Sequence, residues 1–158
     1  MMSTQLLVLG LATFIHNLLT VVWVGGLIMI VITIIPSAQD VFGTGPQTRD
    51  LMMAINKRHK LWVYISIVGL FVTGMIQARV EPNFKGLLSF DSLYSSLTTI
   101  KHLMTFLMIA IALYRSQIMG KKLSTPDKKL MKQSFQLIII NAVLGVGVLL
   151  LSGLMAAL

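Results

Sequence analysis

Apolar and polar positions divide the chain into four long apolar runs joined by three short polar connections. The first run, residues 5–35, carries no charge; the others cover about 61–79, 97–117 and 134–157. Lipid offers the backbone no hydrogen-bonding partner, so a crossing segment must satisfy itself internally, as a helix of about 20 mostly apolar residues does. The pattern therefore predicts an all-α membrane protein, an antiparallel four-transmembrane-helix bundle forming a single domain over residues 1–158. Pro36 is expected to stop the first helix, because proline has no amide hydrogen to donate to the carbonyl one turn back. Leu51, Met52, Ala54 and Ile55 alternate with Arg49, Asp50, Lys57 and Arg58. That spacing gives an amphipathic approach helix before the second span, either joined to it or separate. Glu81 to Gly86, with Pro82 between them, reads as a turn.

The third run sets a constraint of its own. Its uncharged stretch, Leu103–Tyr114, is too short for a core about 30 Å thick at about 1.5 Å per residue. The helix is expected to extend backward through Lys101 and His102 and forward through Ser116 to Met119, with Arg115 snorkelling to the interface.

Composition narrows the class. Hydrophobic residues make up 56% and charged residues 11%, against about 45–50% and about 25% in soluble domains. With no Cys, disulfides, thiolate metal sites, iron–sulfur clusters and thiol nucleophiles are excluded. The net charge of +8 would elsewhere suggest nucleic acid. Here the basic residues gather in the first connection (Arg49, Lys57, Arg58, Lys60) and the third (Arg115, Lys121, Lys122, Lys128, Lys129, Lys132), leaving mainly Arg79 and Lys85 in the middle one. Basic residues in short loops mark the cytoplasmic side. The expectation is a protein integral to the cytoplasmic membrane with both termini outside and no nucleic-acid partner. The long first run, without a basic flank, reads as a span and not as a cleavable signal peptide.

Polar side chains inside a bilayer are costly, so they are the candidates for function. Thr13, His16, Asn17 and Thr20 share one stripe of the first span. Ser66, Gly69, Thr73 and Gln77 form another on the second, Thr98, His102 and Thr105 on the third, and Asn141, Gly145 and Ser152 on the fourth. With outside termini, His16 lies roughly 15 Å in from the outer face. Lys101 and His102 enter from the same side, and Thr73 and Gln77 reach that level from below, so these residues are expected to meet. Bare helix packing explains the same stripes: His16 could do no more than hydrogen-bond to an Asn or Thr across the interface. His59, between Arg58 and Lys60, reads as a headgroup residue at the cytoplasmic entrance, apart from the group. Met104 and Met108 could serve Cu(I) as thioethers, but core filling explains them better. No carboxylate lies in any run, so a relay built on Asp or Glu is not expected.

Several short motifs carry a resemblance. His16, then Trp23-Val24-Gly25-Gly26 and Pro36, resembles the first helix of the copper-resistance protein D (CopD) domain. Val72-Thr73-Gly74 fits the Thr-Gly pair of that domain's next helix, Tyr94 and Lys101 fit its Tyr-Gly…Leu-x-x-Lys segment with Ser95 in place of the Gly, and the stretch from Asn141 to Leu150 fits its last helix. That domain is similar in turn to the HemJ-type protoporphyrinogen oxidases, membrane proteins associated with haem b that pair a first-helix His with a later Lys. The corresponding positions are His16 and Lys101. The resemblance thus implies copper handling or haem binding, and it favours Lys101 where the helical wheel favours His102.

The leading expectation is haem b bound in the bundle for membrane redox or electron transfer, with a redox partner or quinone; if catalytic, the chain would be a haem-dependent oxidoreductase. His16 and His102 are the expected metal ligands, Lys101, Thr73 and Gln77 line the cofactor, and Arg79, with Lys85, meets the propionates. The alternative is copper transport or tolerance through His16, His102 and Met104 or Met108. A further alternative is a noncatalytic membrane subunit, in a homo-oligomer or larger complex, docking through residues 47–60 and 121–132.

Overall fold

The structure is a computed structural model and describes residues 4–81, 86, 88–119 and 128–157. Every described element is helical, and four helical stretches are long and apolar enough to cross a membrane: Thr4–Phe42, Pro46–Ala78, Leu93–Gln117 and Lys129–Ala156. The chain is an integral membrane protein of the all-α class. Its helices form two compact units, Met1–Val80 and Glu81–Leu158, each an antiparallel helix pair.

The first stretch is one rod built of α1 (Thr4–Thr20), α2 (Gly26–Met29) and α3 (Ile35–Phe42), joined by π turns at Val21–Gly25 and Ile30–Ile34. Pro36 does not stop it. The proline sits in the first turn of α3, directly after a π turn, where the widened backbone moves aside the carbonyl that a proline ring would strike and needs no amide from it. The rod ends at Gly43, whose φ of 67° is readily available only without a Cβ. Thr48 locks this corner: its hydroxyl lies 2.6 Å from the Gly43 carbonyl and 3.1 Å from that of Ala38. α4 (Pro46–Ala78) opens on a proline in its first turn, where the missing amide costs nothing. The amphipathic approach and the second span are one continuous helix.

α4 returns along α1, and small residues set the approach. A Cβ on Gly69 would overlap the Leu19 side chain, and one on Gly26 would overlap the His59 ring. Small residues at such crossings let the backbones close in, which is how membrane helices gain packing when lipid supplies no hydrophobic drive. Trp23, Val24, Leu27, Ile30 and Val63 form the core, while Phe14, Val21, Ile32, Val68 and Phe71 are exposed, the apolar outer surface that acyl chains require.

In the second unit α5 (Leu93–Tyr114) continues into a π turn at Arg115–Met119 and pairs with α6 (Lys128–Ala156). Ser92 caps α5, its Oγ accepting from the Ser95 amide at 3.1 Å. The segment before it is pinned where the Thr99 hydroxyl donates to the Ser89 carbonyl and accepts from the Ser89 amide. A Cβ on Gly147 would overlap the tip of Met104, and the Thr98 Oγ1, whose proton goes to its own helix, lies 3.8 Å from the Met155 sulfur. Met104 and Met108 thus fill the core, as the sequence suggested; Met108 is fully buried. Across both units Thr20, Thr73, Thr98, Thr105 and Ser152 return their hydroxyls to the carbonyl one turn back, which spares lipid an open donor.

Candidate functional site

His16 is half-buried on the face of α1 that meets α4. Its Nδ1 lies 2.8 Å from the Thr73 Oγ1. Thr73 is buried, and the same oxygen lies 2.7 Å from the Gly69 carbonyl. A hydroxyl has one proton to donate. Thr73 directs it to the carbonyl, so the oxygen accepts from His16 Nδ1–H. With Nδ1 as the donor, a neutral ring carries its lone pair on Nε2, the arrangement of a metal-ligating imidazole whose other nitrogen is held by an outer partner. Gly74 faces the ring: a Cβ there would lie 3.7 Å from Cε1. A shallow groove of about 430 Å³ runs beside the pair, walled by Ala12, Ile15, Gly69, Val72, Thr73 and Ile76 among others.

The expected neighbours of His16 divide. Gln77, one turn past Thr73, is half-buried, and its Nε2 is enclosed without a hydrogen-bond partner among the described residues. Arg79 is the exposed C-cap residue of α4. Thr13 and Asn17 are exposed, so the stripe facing α4 is Ala12, His16, Leu19 and Trp23; the sequence stripe was displaced by one residue, about 100° of rotation. His59 is not a fully solvated side chain. It is half-buried with its ring packed on Gly26, while Arg58 and Lys60 on either side are exposed. The missing Cβ of Gly26 makes that seat, a signal present in the Gly25-Gly26 pair.

Lys101 and His102 belong to the second unit, on α5, and both are half-buried. The Lys101 carbonyl accepts from the Thr105 hydroxyl at 2.9 Å. His102 Nδ1 is enclosed. Asn141, in the core of α6, is 1% exposed, and neither amide atom has a hydrogen-bond partner among the described residues. No three His, Asp or Glu side chains among the described residues gather as a metal cluster. Lys85, Lys121 and Lys122, and the turn at 82–85, lie outside the described residues.

Sequence reasoning put Ser66 and Asn141 on polar stripes and Trp23 in a motif, but it could not tell that the Trp23 Nε1, the Ser66 Oγ and the Asn141 amide are enclosed without a hydrogen-bond partner among the described residues. Spacing places Ser66 and Trp23 at the helix seam, but whether a buried group finds a partner is a matter of coordinates.

A family model described as Copper resistance protein D matches residues 53–155, more than half of the chain. The matched stretch includes His59, Thr73, Lys101, His102 and Asn141; His16 and Trp23 precede it. Neither curated proteins nor solved structures gave a match.

Proposed function

The chain belongs to the copper resistance protein D family, and from that premise we propose that it handles copper as cargo within the bilayer, with His16 as an imidazole ligand. The supporting observation is the hydrogen-bond chain from His16 Nδ1 through the Thr73 hydroxyl to the Gly69 carbonyl. It orients the ring through Nδ1, as an outer partner orients a metal-ligating imidazole. Imidazole suits copper, and thioethers suit Cu(I); here Met104 packs on Gly147, Met108 is buried in the core and the Met155 sulfur lies beside the Thr98 hydroxyl. Thr73 is a positioning residue and Gln77 a further polar group one turn away. In the second unit His102 and Lys101 are that unit's own candidate donors. The distribution of Lys and Arg supports a topology with both termini outside.

A second reading, haem b, is favoured by one observation. His16 stands without a three-residue cluster of His, Asp or Glu among the described residues, and haem iron, already ringed by the macrocycle, needs only axial ligands from protein.

One experiment separates them. The purified protein is analysed for metal and its absorption spectrum taken before and after dithionite. Stoichiometric copper that is lost in His16→Ala and kept in Asn17→Ala is the expected result. A Soret band replaces copper by haem, and undiminished copper in His16→Ala removes His16 as the ligand.

A further inference from the structure

Between the His16–Thr73 contact and the turn at Gly43, the α1–α4 seam buries a serine and a tryptophan whose polar atoms have no hydrogen-bond partner among the described residues. Ser66 is 0% exposed and Trp23 is 2% exposed, and the atoms concerned are the Ser66 Oγ and the Trp23 Nε1. They occupy the same interval of the antiparallel pair. Trp23 lies between Leu19 and Gly26 on one helix, Ser66 lies between His59 and Gly69 on the other, and Leu19 packs on Gly69 as His59 packs on Gly26. Unlike Thr73 seven residues on, Ser66 does not turn its hydroxyl back to its own helix. The π turn Val21–Gly25 is centred on Trp23, and such single-turn bulges recur at functional sites because they redirect side chains and backbone groups.

The geometry points to a buried binding site between Trp23 and Ser66 for a small hydrogen-bond acceptor, occupied by a water molecule. The chemistry of the two groups selects the class of ligand. An indole N–H donates and cannot accept, so it offers nothing to a metal cation, and the ligand must present a lone pair to it. A serine hydroxyl donates or accepts, so one oxygen atom satisfies both. An anion would have to shed its hydration in a seam without a fixed countercharge, whereas water enters neutral and meets the two polar partners that a buried water needs. Leu19, seated on Gly69, walls this site off from His16. A cation held at His16 would therefore not continue along this seam past Leu19, and the two sites work independently.

The test uses the whole protein in lipid nanodiscs, ¹⁵N-labelled at tryptophan. Trp62→Phe leaves Trp23 as the only indole, since the chain has two Trp residues. A magnetisation-transfer cross-peak between the Trp23 Nε1–H and bound water is expected, to be lost or strongly reduced in Ser66→Ala and unchanged in His16→Ala. Absence of the cross-peak in the parent protein overturns the proposal. So does an indole resonance that moves in Ser66→Ala without any water cross-peak, which would mean a direct bond between the two side chains. Loss of the peak in His16→Ala would overturn the independence of the two sites.

Discussion

The two helix pairs use polar residues in opposite ways. In the α1–α4 pair a histidine bonds across the interface to a threonine, which in turn bonds to its own helix. In the α5–α6 pair the described hydroxyls within the helices mostly stay local, Thr105 and Ser152 bonding one turn back and Ser92 capping its own helix. Its cross-helix contacts run through methionine, Met104 on Gly147 and Met155 on Thr98. The difference teaches where to look for chemistry in a chain that is apolar nearly everywhere. A polar side chain that answers its own carbonyl is neutralised for the bilayer, whereas one oriented by a second helix has been given a direction.

That contrast can be broken in graded steps. The largest effect after loss of His16 itself is expected from Thr73→Val, which keeps the shape and removes the acceptor. Copper affinity measured by competition with a chelator should fall about 10–100-fold, the usual cost of losing an outer-shell partner, while Thr105→Val in the other pair leaves it unchanged. Equal losses in the two variants would mean that Thr73 does not position the ring.

Packing comes next. Gly69→Ala forces the branched Leu19 aside, while Gly147→Ala meets the flexible end of Met104. Overpacking costs about 1–3 kcal/mol, and methionine yields more easily than leucine, so thermal unfolding in detergent should show the greater loss for Gly69→Ala. Gly153→Ala, with open space around it, serves as the neutral reference.

Asn141→Leu should act in the other direction. Removing an enclosed, unmatched amide from the core of α6 is expected to be neutral or to raise stability by about 1 kcal/mol. A clear loss would show that the amide is matched by a bound water or partner. The smallest effect belongs to Thr105→Val, whose hydroxyl bonds only to its own helix; a change beyond about 0.5 kcal/mol would contradict the local role assigned to it.

Much of this architecture was legible from spacing. Four mostly apolar runs predicted four helices, the amphipathic residues 47–60 continued into α4, and the stripe Ser66, Gly69, Thr73 and Gln77 lies on the seam with α1. Periodicity could not say which of two adjacent stripes on the first rod meets α4, so Thr13 and Asn17 were grouped with His16 and proved exposed. In a soluble protein the buried stripe is the apolar one; here lipid and core are both apolar, and hydropathy does not distinguish them.

The sequence by itself determined that this chain crosses a membrane, that it has no thiol chemistry, and that His16 is its foremost candidate ligand. The packing of the helices adds that Thr73 bonds to the ring, that His59 sits on Gly26, that Pro36 directly follows a π turn, and that Trp23 and Ser66 are both buried. The physical reason is that backbone periodicity fixes which residues share a face, whereas hydrogen-bond partners depend on how far one helix slides and turns against another. That choice is made by small residues such as Gly26 and Gly69, whose missing side chains become visible only once their neighbours are in place.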